Sequence, residues 1–275
     1  MADPVTLRVG TYNLRDGGLD GVSAFRDDAR FKNQLAMLAT LRLDLLGLQE
    51  AKWGPDGPAR LEQAARWLGM TWKCLVRSNF HGCDIAVLVR ESAGLSVTRE
   101  RHLTGPPFAH AHADVELEIA GRPRPVRFMV GHAAPSSPTL RLIEAELAWW
   151  FYSSLDVIYA ADFNAAALNE DPNLQDVDPL HVARKLDTRP AEELQASGFI
   201  DTGAQLGDRT PTVGHTRVDR LAYRCDRIYT TLSRDAIVGH RVVQEDKPLS
   251  DHRPVWAEFV LPATERRAPP GRGGI

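Results

Sequence analysis

In Val157-Ile158-Tyr159-Ala160-Ala161-Asp162-Phe163-Asn164 a run of β-formers and small apolar residues breaks off at an acid, an aromatic and an amide. Such a run predicts a buried strand that carries Asp162 and Asn164 to the rim of a sheet, because positions i and i+2 of a strand point the same way. A carboxylate beside an amide can orient a water and hold a phosphate oxygen. The same residues also suit an Asx-rich turn that merely closes a strand. What favours a site is that other stretches end in the same manner.

Leu7, Val9 and Thr11 alternate with Arg8 and Gly10 in a strand that ends at Tyr12-Asn13, before a glycine-rich loop over 16–21. Phe31, Leu35 and Leu38 fall on one face of a helix over about 27–41. The short apolar run Leu43 to Leu48 then ends in Gln49-Glu50. Leu61, Ala65 and Leu68 mark a second helix stopped by Gly69. Paired strands are expected over 71–76 and 84–89, around a turn at 79–82. Val115, Leu117 and Ile119 form a further strand, and Val126 to Val130 returns to Gly131-His132. Ser137-Pro138 opens a helix with a stripe of Leu140, Ile143, Leu147 and Trp150, in which Trp149 and Trp150 are expected to serve packing. After Asn164, residues 165–187 are rich in Asp, Asn and Pro and are expected to be irregular. A capped helix over 188–197 and strands over 225–230, 236–243 and 255–261 complete the chain.

The antiparallel hairpins are too many for an all-parallel sheet. The expected architecture is α/β (α+β): two packed mixed β-sheets flanked by helices, in a single domain over 1–262 with a disordered tail over 263–275. With 275 residues, 43% hydrophobic and 25% charged, a sizeable core is available, and the net charge of −3 supplies no global basic field for a polyanion. Arg15, Arg77, Arg90, Arg217, Arg220 and Arg224 remain candidates for a local basic strip. The acidic stretch from Glu170 to Asp178 would oppose one. Cys74, Cys83 and Cys225 cannot all pair and show no C-x-x-C spacing, so reduced thiols in a cytoplasm are expected. No basic-then-apolar leader and no stretch of about 18 apolar residues are visible, so neither a signal peptide nor a membrane span is expected. Nothing points to an obligate protein partner.

The polar strand ends are Asn13, Glu50, His132, Asp162 with Asn164, Asp226, and Asp251 with His252. Singly each has an ordinary explanation: Glu50 as a solvated terminus, Asp226 as an ion-pair partner of Arg227 or Arg220, His132 as a core histidine. Together they supply oxygen ligands, a water-orienting carboxylate and two imidazoles, a set suited to metal-assisted phosphate-ester hydrolysis. Zinc would call for more clustered His or Cys.

The ordered pieces Thr11-Tyr12-Asn13, Gln49-Glu50, Gly131-His132, Ala161-Asp162-Phe163-Asn164, Asp226-Arg227-Ile228 and Ser250-Asp251-His252 resemble the endonuclease/exonuclease/phosphatase superfamily. Residues 82–90 and Arg253-Pro254 fit the same pattern, and the resemblance runs from Val5 to Leu261. It is similar to the deoxyribonuclease and sphingomyelinase branches in carrying a histidine at position 132, where exonuclease III relatives use a tyrosine-containing arrangement. The resemblance implies a four-layer αββα sandwich with its site at one edge of the paired sheets, and Mg²⁺, with Mn²⁺ as the alternative. It implies Glu50 as principal metal ligand, helped by Asn13 and Asp251. Asp162 would align or deprotonate the attacking water, and Asn164 would fix that water and contact the phosphate. His252 would bind the phosphate, with Asp226 setting its tautomer, and His132 would be a second phosphate contact or a general acid. Two positions depart from the pattern. Ala161 replaces a glycine, and the aspartate that some nucleases place two residues after the asparagine is absent, Asp16 falling one residue late. No carboxylate to orient His132 can be named. The implied function is a Mg²⁺-dependent phosphoric ester hydrolase acting on a phosphate-ester substrate, with a nuclease-like phosphodiesterase acting on DNA or another nucleic acid placed first. The alternatives are a phosphatase or phosphodiesterase for a small metabolite, lipid headgroup or inositol phosphate, and a silent binding protein on the same fold.

Overall fold

The computed structural model of the chain describes residues 4–21, 27–92, 94–148, 156–216 and 220–262. The expectations for Trp149-Trp150, Arg217 and the tail from 263 lie outside the described residues. In chain order the elements are β1 (Val5–Asn13), α1 (Ala29–Thr40), β2 (Leu45–Gln49), α2 (Gly57–Leu68), β3 (Trp72–Val76), β4 (Ile85–Val89), β5 (Leu95–Glu100), β6 (Leu103–Thr104), β7 (Ala111–Ile119) and β8 (Val126–His132). Then follow α3 (Pro138–Ala148), β9 (Asp156–Asp162), α4 (Pro179–Lys185), α5 (Arg189–Ala196), β10 (Ile200–Asp201), α6 (Thr202–Gln205), β11 (Asp226–Thr230), β12 (Ile237–Val242) and β13 (Val255–Leu261).

The strands form two mixed sheets. One has the order β12-β13-β1-β2-β4-β3; the other runs β10-β11-β9-β8-β7-β5, with β6 alongside β7. Each sheet holds one parallel pair, β1 with β2 and β8 with β9, and a helix lies between the two members in sequence, α1 in the first case and α3 in the second. The other pairings are antiparallel.

Strand alternation builds the layers. Val9, Leu45, Val87 and Phe259 of the first sheet meet Val115, Phe128, Val130, Ile158 and Ala160 of the second in one apolar core. Leu46, Leu48 and Leu88 on the outer face of the first sheet pack on Phe31, Leu35 and Leu38 of α1 and Leu61, Ala65 and Leu68 of α2. Met129, Val157, Tyr159 and Tyr229 on the outer face of the second pack on Ala145 and Ala148 of α3 and Leu194 of α5. The strand β9 is therefore buried on both faces, which is why its sequence is an unbroken apolar run. Each large aliphatic side chain so buried contributes about 1.5–3 kcal/mol. The result is the four-layer αββα sandwich. Gly47 is where the sheets approach most closely at a glycine, since a Cβ there would lie 2.5 Å from Val130 Cγ1.

Three expectations change. The inward face of α3 is only in part the Leu140/Ile143/Leu147 stripe: Leu147 packs half-buried against the core, but Arg141, Glu144, Ala145 and Ala148 are buried and Ile143 is exposed. The reason is hydrogen bonding, described below. Residues 165–187 contain α4, with Pro179 in its first turn and the Asp178 side chain accepting from Leu180 N at 2.9 Å. A helix of seven residues in so polar a stretch has no apolar stripe to reveal it. The strand β5 was not anticipated either, being an edge strand with mostly polar, exposed residues. Among the described residues no helix is long and apolar enough to cross a membrane.

Candidate active site

The carboxyl ends of the two parallel pairs lie on one rim. Asn13 ends β1 and stands opposite Gln49 at the end of β2, with Glu50 next. His132 ends β8 opposite Asp162 at the end of β9, and Asp226, at the start of antiparallel β11, stands opposite Asp162 on the other side. His132, Asp162 and Asp226 therefore sit in a row across three strands. The β1 end is tied into this row by Asn13 Nδ2, which donates to Asp162 Oδ2 at 3.0 Å. The Ser250-Asp251-His252 turn is tied to β1 by the Ser250 hydroxyl, which donates to Asn13 O at 2.8 Å.

Asp162 is 1% exposed and is the hub. Its Oδ1 accepts Asn164 N at 2.9 Å, while His132 Nε2 and His252 Nε2 stand 3.5 and 3.8 Å from its Oδ2. Burial alone would raise its pKa, but the two imidazoles and the hydrogen bonds from Asn13 and Asn164 overrule that and hold it at about 2. His252 answers in the opposite sense. Burial works against its charge, yet Asp226 and Asp162 raise it well above the usual histidine value, and its Nδ1 lies 2.8 Å from Asp226 Oδ2. Burial keeps His132 below its usual value, only partly offset by Asp162 and Glu50. The site thus pairs a carboxylate and an imidazolium with a neutral imidazole.

The carboxylate that the sequence did not supply for His132 is Asp162 itself, on the Nε2 side. A residue that sequence reasoning missed, His110, stacks on the His132 ring at 4.2 Å between centroids and is held by Ser78 Oγ at 3.0 Å from its Nδ1. The alternating His110 and His112, one just before and one within the start of β7, carried that signal. A second missed residue is Lys185, at the end of α4, whose Nζ donates to Asn164 Oδ1 at 2.8 Å. Asn164 Nδ2 donates to Ala133 O at 3.1 Å, so both ends of that amide are engaged. The buried polar face of α3 serves this arrangement. Glu144 accepts from Ala109 N at 2.7 Å and Ala134 N at 2.9 Å, fixing the two segments that carry His110 and His132. Arg141 donates to Ala134 O and to Arg184 O, which fixes the end of α4 next to Lys185.

Glu50 Oε2 accepts Asp16 N at 3.0 Å and stands 3.6 Å from Lys52 Nζ. Asn13 Oδ1 accepts Arg15 N, and Asp251 Oδ1 accepts Ser250 Oγ at 3.3 Å. Among the described residues, Glu50 Oε1 and Asp251 Oδ2 accept no hydrogen bond, leaving hard carboxylate oxygens of the kind Mg²⁺ takes. The donor chemistry of Glu50, Asn13 and Asp251 therefore fits the ion. A different set, Asp162, Cys225, Asp226 and His252, brings ligand atoms within 4.8 Å of one another. Its thiol is pushed up by burial and by Asp226, and Cys225 Sγ donates to Asp226 Oδ2 at 3.2 Å, so its resting state is a hydrogen-bonded cluster.

Backbone strain gathers on the same rim. Arg15, Asp16, Glu50 and Asn164 all have φ near +50°, a region that costs a non-glycine residue about 1–2 kcal/mol. Beside the rim a cavity of about 720 Å³ is lined by Arg15, Asp16, Asp20, His215, Leu249 and Ser250 among others. The expected basic strip is depleted. Arg224 is 1% exposed and bound to Glu170 and Asp201. Arg90 is engaged by the carbonyls of Leu43, Leu68 and Gly69, whereas Arg77, paired with Asp84, keeps 56% of its side chain exposed, and Arg15 and Arg220 are exposed as well. Glu170, expected to repel a polyanion, is used internally by Arg224.

The sequence matches the family model described as Endonuclease/Exonuclease/phosphatase family over residues 10–252. No curated protein matches it. Among solved structures, an endonuclease/exonuclease/phosphatase from Bacteroides vulgatus superposes with a TM-score of 0.70 at 13% identity, covering 94% of this chain and 100% of the other. A mannosyl-6-phosphatase from Bacteroides thetaiotaomicron gives 0.68 at 15% identity, over 93% and 100% of the two chains. The D. rerio TDP2 complexed with single strand DNA product gives 0.64 at 17% identity, over 92% and 98%. At these identities the likeness is one of fold.

Proposed function

Because this chain belongs to the endonuclease/exonuclease/phosphatase family, whose members are phosphoester hydrolases, we propose that it is a divalent-metal-dependent phosphoesterase with its site on the rim that carries Asp162. The observation that carries the reading is the Asp226–His252–Asp162 chain, in which one buried carboxylate stays ionised beside an imidazolium. A phosphate ester anion repels an attacking oxygen, so a site must bring fixed positive donors to the phosphate and hold water in line. His252 Nε2 is the donor to a non-bridging oxygen, and Asp226 locks its tautomer and charge. Asp162, held near 2, is a weak base and a good hydrogen-bond acceptor, so its work is to orient the water rather than to hold a proton for long. Lys185 supplies a further positive charge through Asn164. His132, neutral and flat against His110, borders the same space and suits a hydrogen-bonding contact to the phosphate rather than protonation of the leaving oxygen. Glu50, Asn13 and Asp251 would hold Mg²⁺ or Mn²⁺, which when bound neutralises charge on the phosphate and polarises it.

For the substrate, the cavity beside Arg15 and the engagement of Arg90 and Arg224 within the fold support a small organic phosphate ester ahead of a long polyanion. The nucleic-acid reading keeps one supporting observation, the likeness in fold to a protein complexed with single strand DNA product. Hydrolysis of p-nitrophenyl phosphate, bis-p-nitrophenyl phosphate and plasmid DNA, with Mg²⁺ or Mn²⁺ and then excess EDTA, separates the readings. Ester cleavage with DNA intact is the expected result. Metal-dependent nicking lost in Asp162→Asn would make the protein a nuclease, and inactivity on every ester tried would sink the phosphoesterase assignment.

A further inference from the structure

Cys225 is a soft donor at the catalytic rim, and the mechanism does not use it. Its Sγ lies 3.2 Å from Asp226 Oδ2 and 3.7 Å from His252 Nδ1, and that nitrogen lies 3.1 Å from Asp226 Oδ1. Ligand atoms about 2.0–2.3 Å from a tetrahedral zinc stand roughly 3.3–3.8 Å apart; the Sγ–Nδ1 edge already has that length, and Asp226 Oδ2, 3.2 Å from Sγ and 2.8 Å from Nδ1, has only to draw back slightly to complete one face. Asp162 completes the set, all four ligand atoms falling within 4.8 Å. One thiol, one imidazole and two carboxylates are poor company for Mg²⁺ and good company for Zn²⁺. Asp162, Cys225 and Asp226 are buried, and His252, with 14% of its side chain exposed, opens the group to solvent.

We infer that Asp162, Cys225, Asp226 and His252 form an inhibitory Zn²⁺ site, distinct in its donors from the hard-oxygen set of Glu50, Asn13 and Asp251. Zinc replaces the protons that now join these side chains. The thiol proton and the imidazolium proton pass to solvent, and the four lone pairs pass to the metal. Occupancy disables both working groups at once: Asp162 no longer orients water, and His252, bound through Nδ1, keeps its Nε2–H but loses the imidazolium charge and the Asp226 partner with which it would hold phosphate. The inhibition rests on the phosphoesterase reading, whereas the metal site itself does not. A second group of suitable residues, Cys74, Glu100 and His102, lies on a different part of the surface and is the natural rival for any bound zinc.

The test uses Co²⁺ as a spectroscopic stand-in for Zn²⁺ on the full chain. The wild type and Cys74→Ala are expected to show a thiolate-to-cobalt charge-transfer band that Zn²⁺ abolishes, and Cys225→Val is expected to lack it. In parallel, the Zn²⁺ concentration that halves Mg²⁺-supported hydrolysis of bis-p-nitrophenyl phosphate should rise at least tenfold in Cys225→Val. Should the valine variant fail to fold by circular dichroism, Cys225→Ser takes its place. No band in the wild type, a band that survives the loss of Cys225, or one lost with Cys74 overturns the site. A band that follows Cys225 in a protein inactive on every ester would uphold the metal site and reject the phosphoesterase reading. Unchanged zinc sensitivity in an active Cys225→Val would reject the inhibition.

Discussion

Three strands and one turn deliver their polar ends to Asp162, and the proposed chemistry concentrates there for that reason. Asp162→Asn keeps the side chain's shape and its contact with Asn164 N, but removes the charge that faces both imidazoles. The expected loss in kcat is about 10²–10⁴-fold with the far-ultraviolet circular dichroism unchanged, and a rate within twofold of wild type would refute the role. Asp226→Asn should act through His252. Without that carboxylate the imidazolium loses its nearest counter-charge, so its pKa falls back towards the ordinary value. The form that donates to phosphate is then lost at lower pH, and the alkaline limb of kcat/KM should move down the pH axis, while a merely structural role would lower the whole profile without moving it. Much of this was legible in the residues themselves, since the acid, amide and histidine at each strand end announce polar groups where an apolar run stops. Lys185, His110 and Cys225 were not. Each reaches the site through tertiary packing of a segment whose own pattern says only helix, strand or turn.

At the scale of elements, the two parallel pairs, β1 with β2 and β8 with β9, explain both the fold and the site. Parallel neighbours send their carboxyl ends to the same edge, so Asn13 with Glu50 and His132 with Asp162 arrive together without any long-range instruction in the sequence. The close approach of the sheets depends on Gly47, and Gly47→Ala should cost about 1–3 kcal/mol by forcing Val130 aside, measured by urea denaturation with an unchanged m-value. A change under about 0.5 kcal/mol would mean the sheets part easily there. The helix α3 was the hardest element to read. Its apolar residues suggested one face, yet Arg141 and Glu144 turn inwards because backbone groups at Ala109, Ala134 and Arg184 need partners where water is excluded. Glu144→Gln offers one acceptor and one amine to two N–H donors. It should therefore loosen the segments under His110 and His132, lowering kcat about tenfold with less effect on KM. Glu144→Ala, which leaves both amides unpartnered, should fall further in rate and in Tm. Equal effects on kcat from both substitutions would argue against a positioning role.

Across the whole molecule, buried titratable groups set how the fold responds to acid, and the two kinds present pull in opposite directions. Burial pushes His110 and His112 down to about 3, so between that value and the ordinary 6.5 the unfolded chain binds more protons than the folded one, and stability drains away as pH falls. Burial raises Asp114 to about 6 and Glu144 to about 7, so these favour the folded state at low pH and lose that contribution as pH rises through the same range. Wild-type Tm alone therefore mixes opposing slopes, and one substitution must isolate the histidine contribution. His112 serves, because it is fully interior, packs edge-on against Tyr159 and tilted against Phe108, and stands outside the catalytic row. Replacing it by phenylalanine keeps the ring and deletes the titration. Below about pH 6.5 the wild type should lose up to roughly 1.4 kcal/mol per pH unit more than His112→Phe, so the two denaturation free energies diverge steadily from pH 6.5 to 4.5. Above pH 7 their difference should be constant, whatever its sign, because the histidine is then neutral in both folded and unfolded chains. Parallel curves across the acid range would show that His112 can take up a proton without unfolding the core around it.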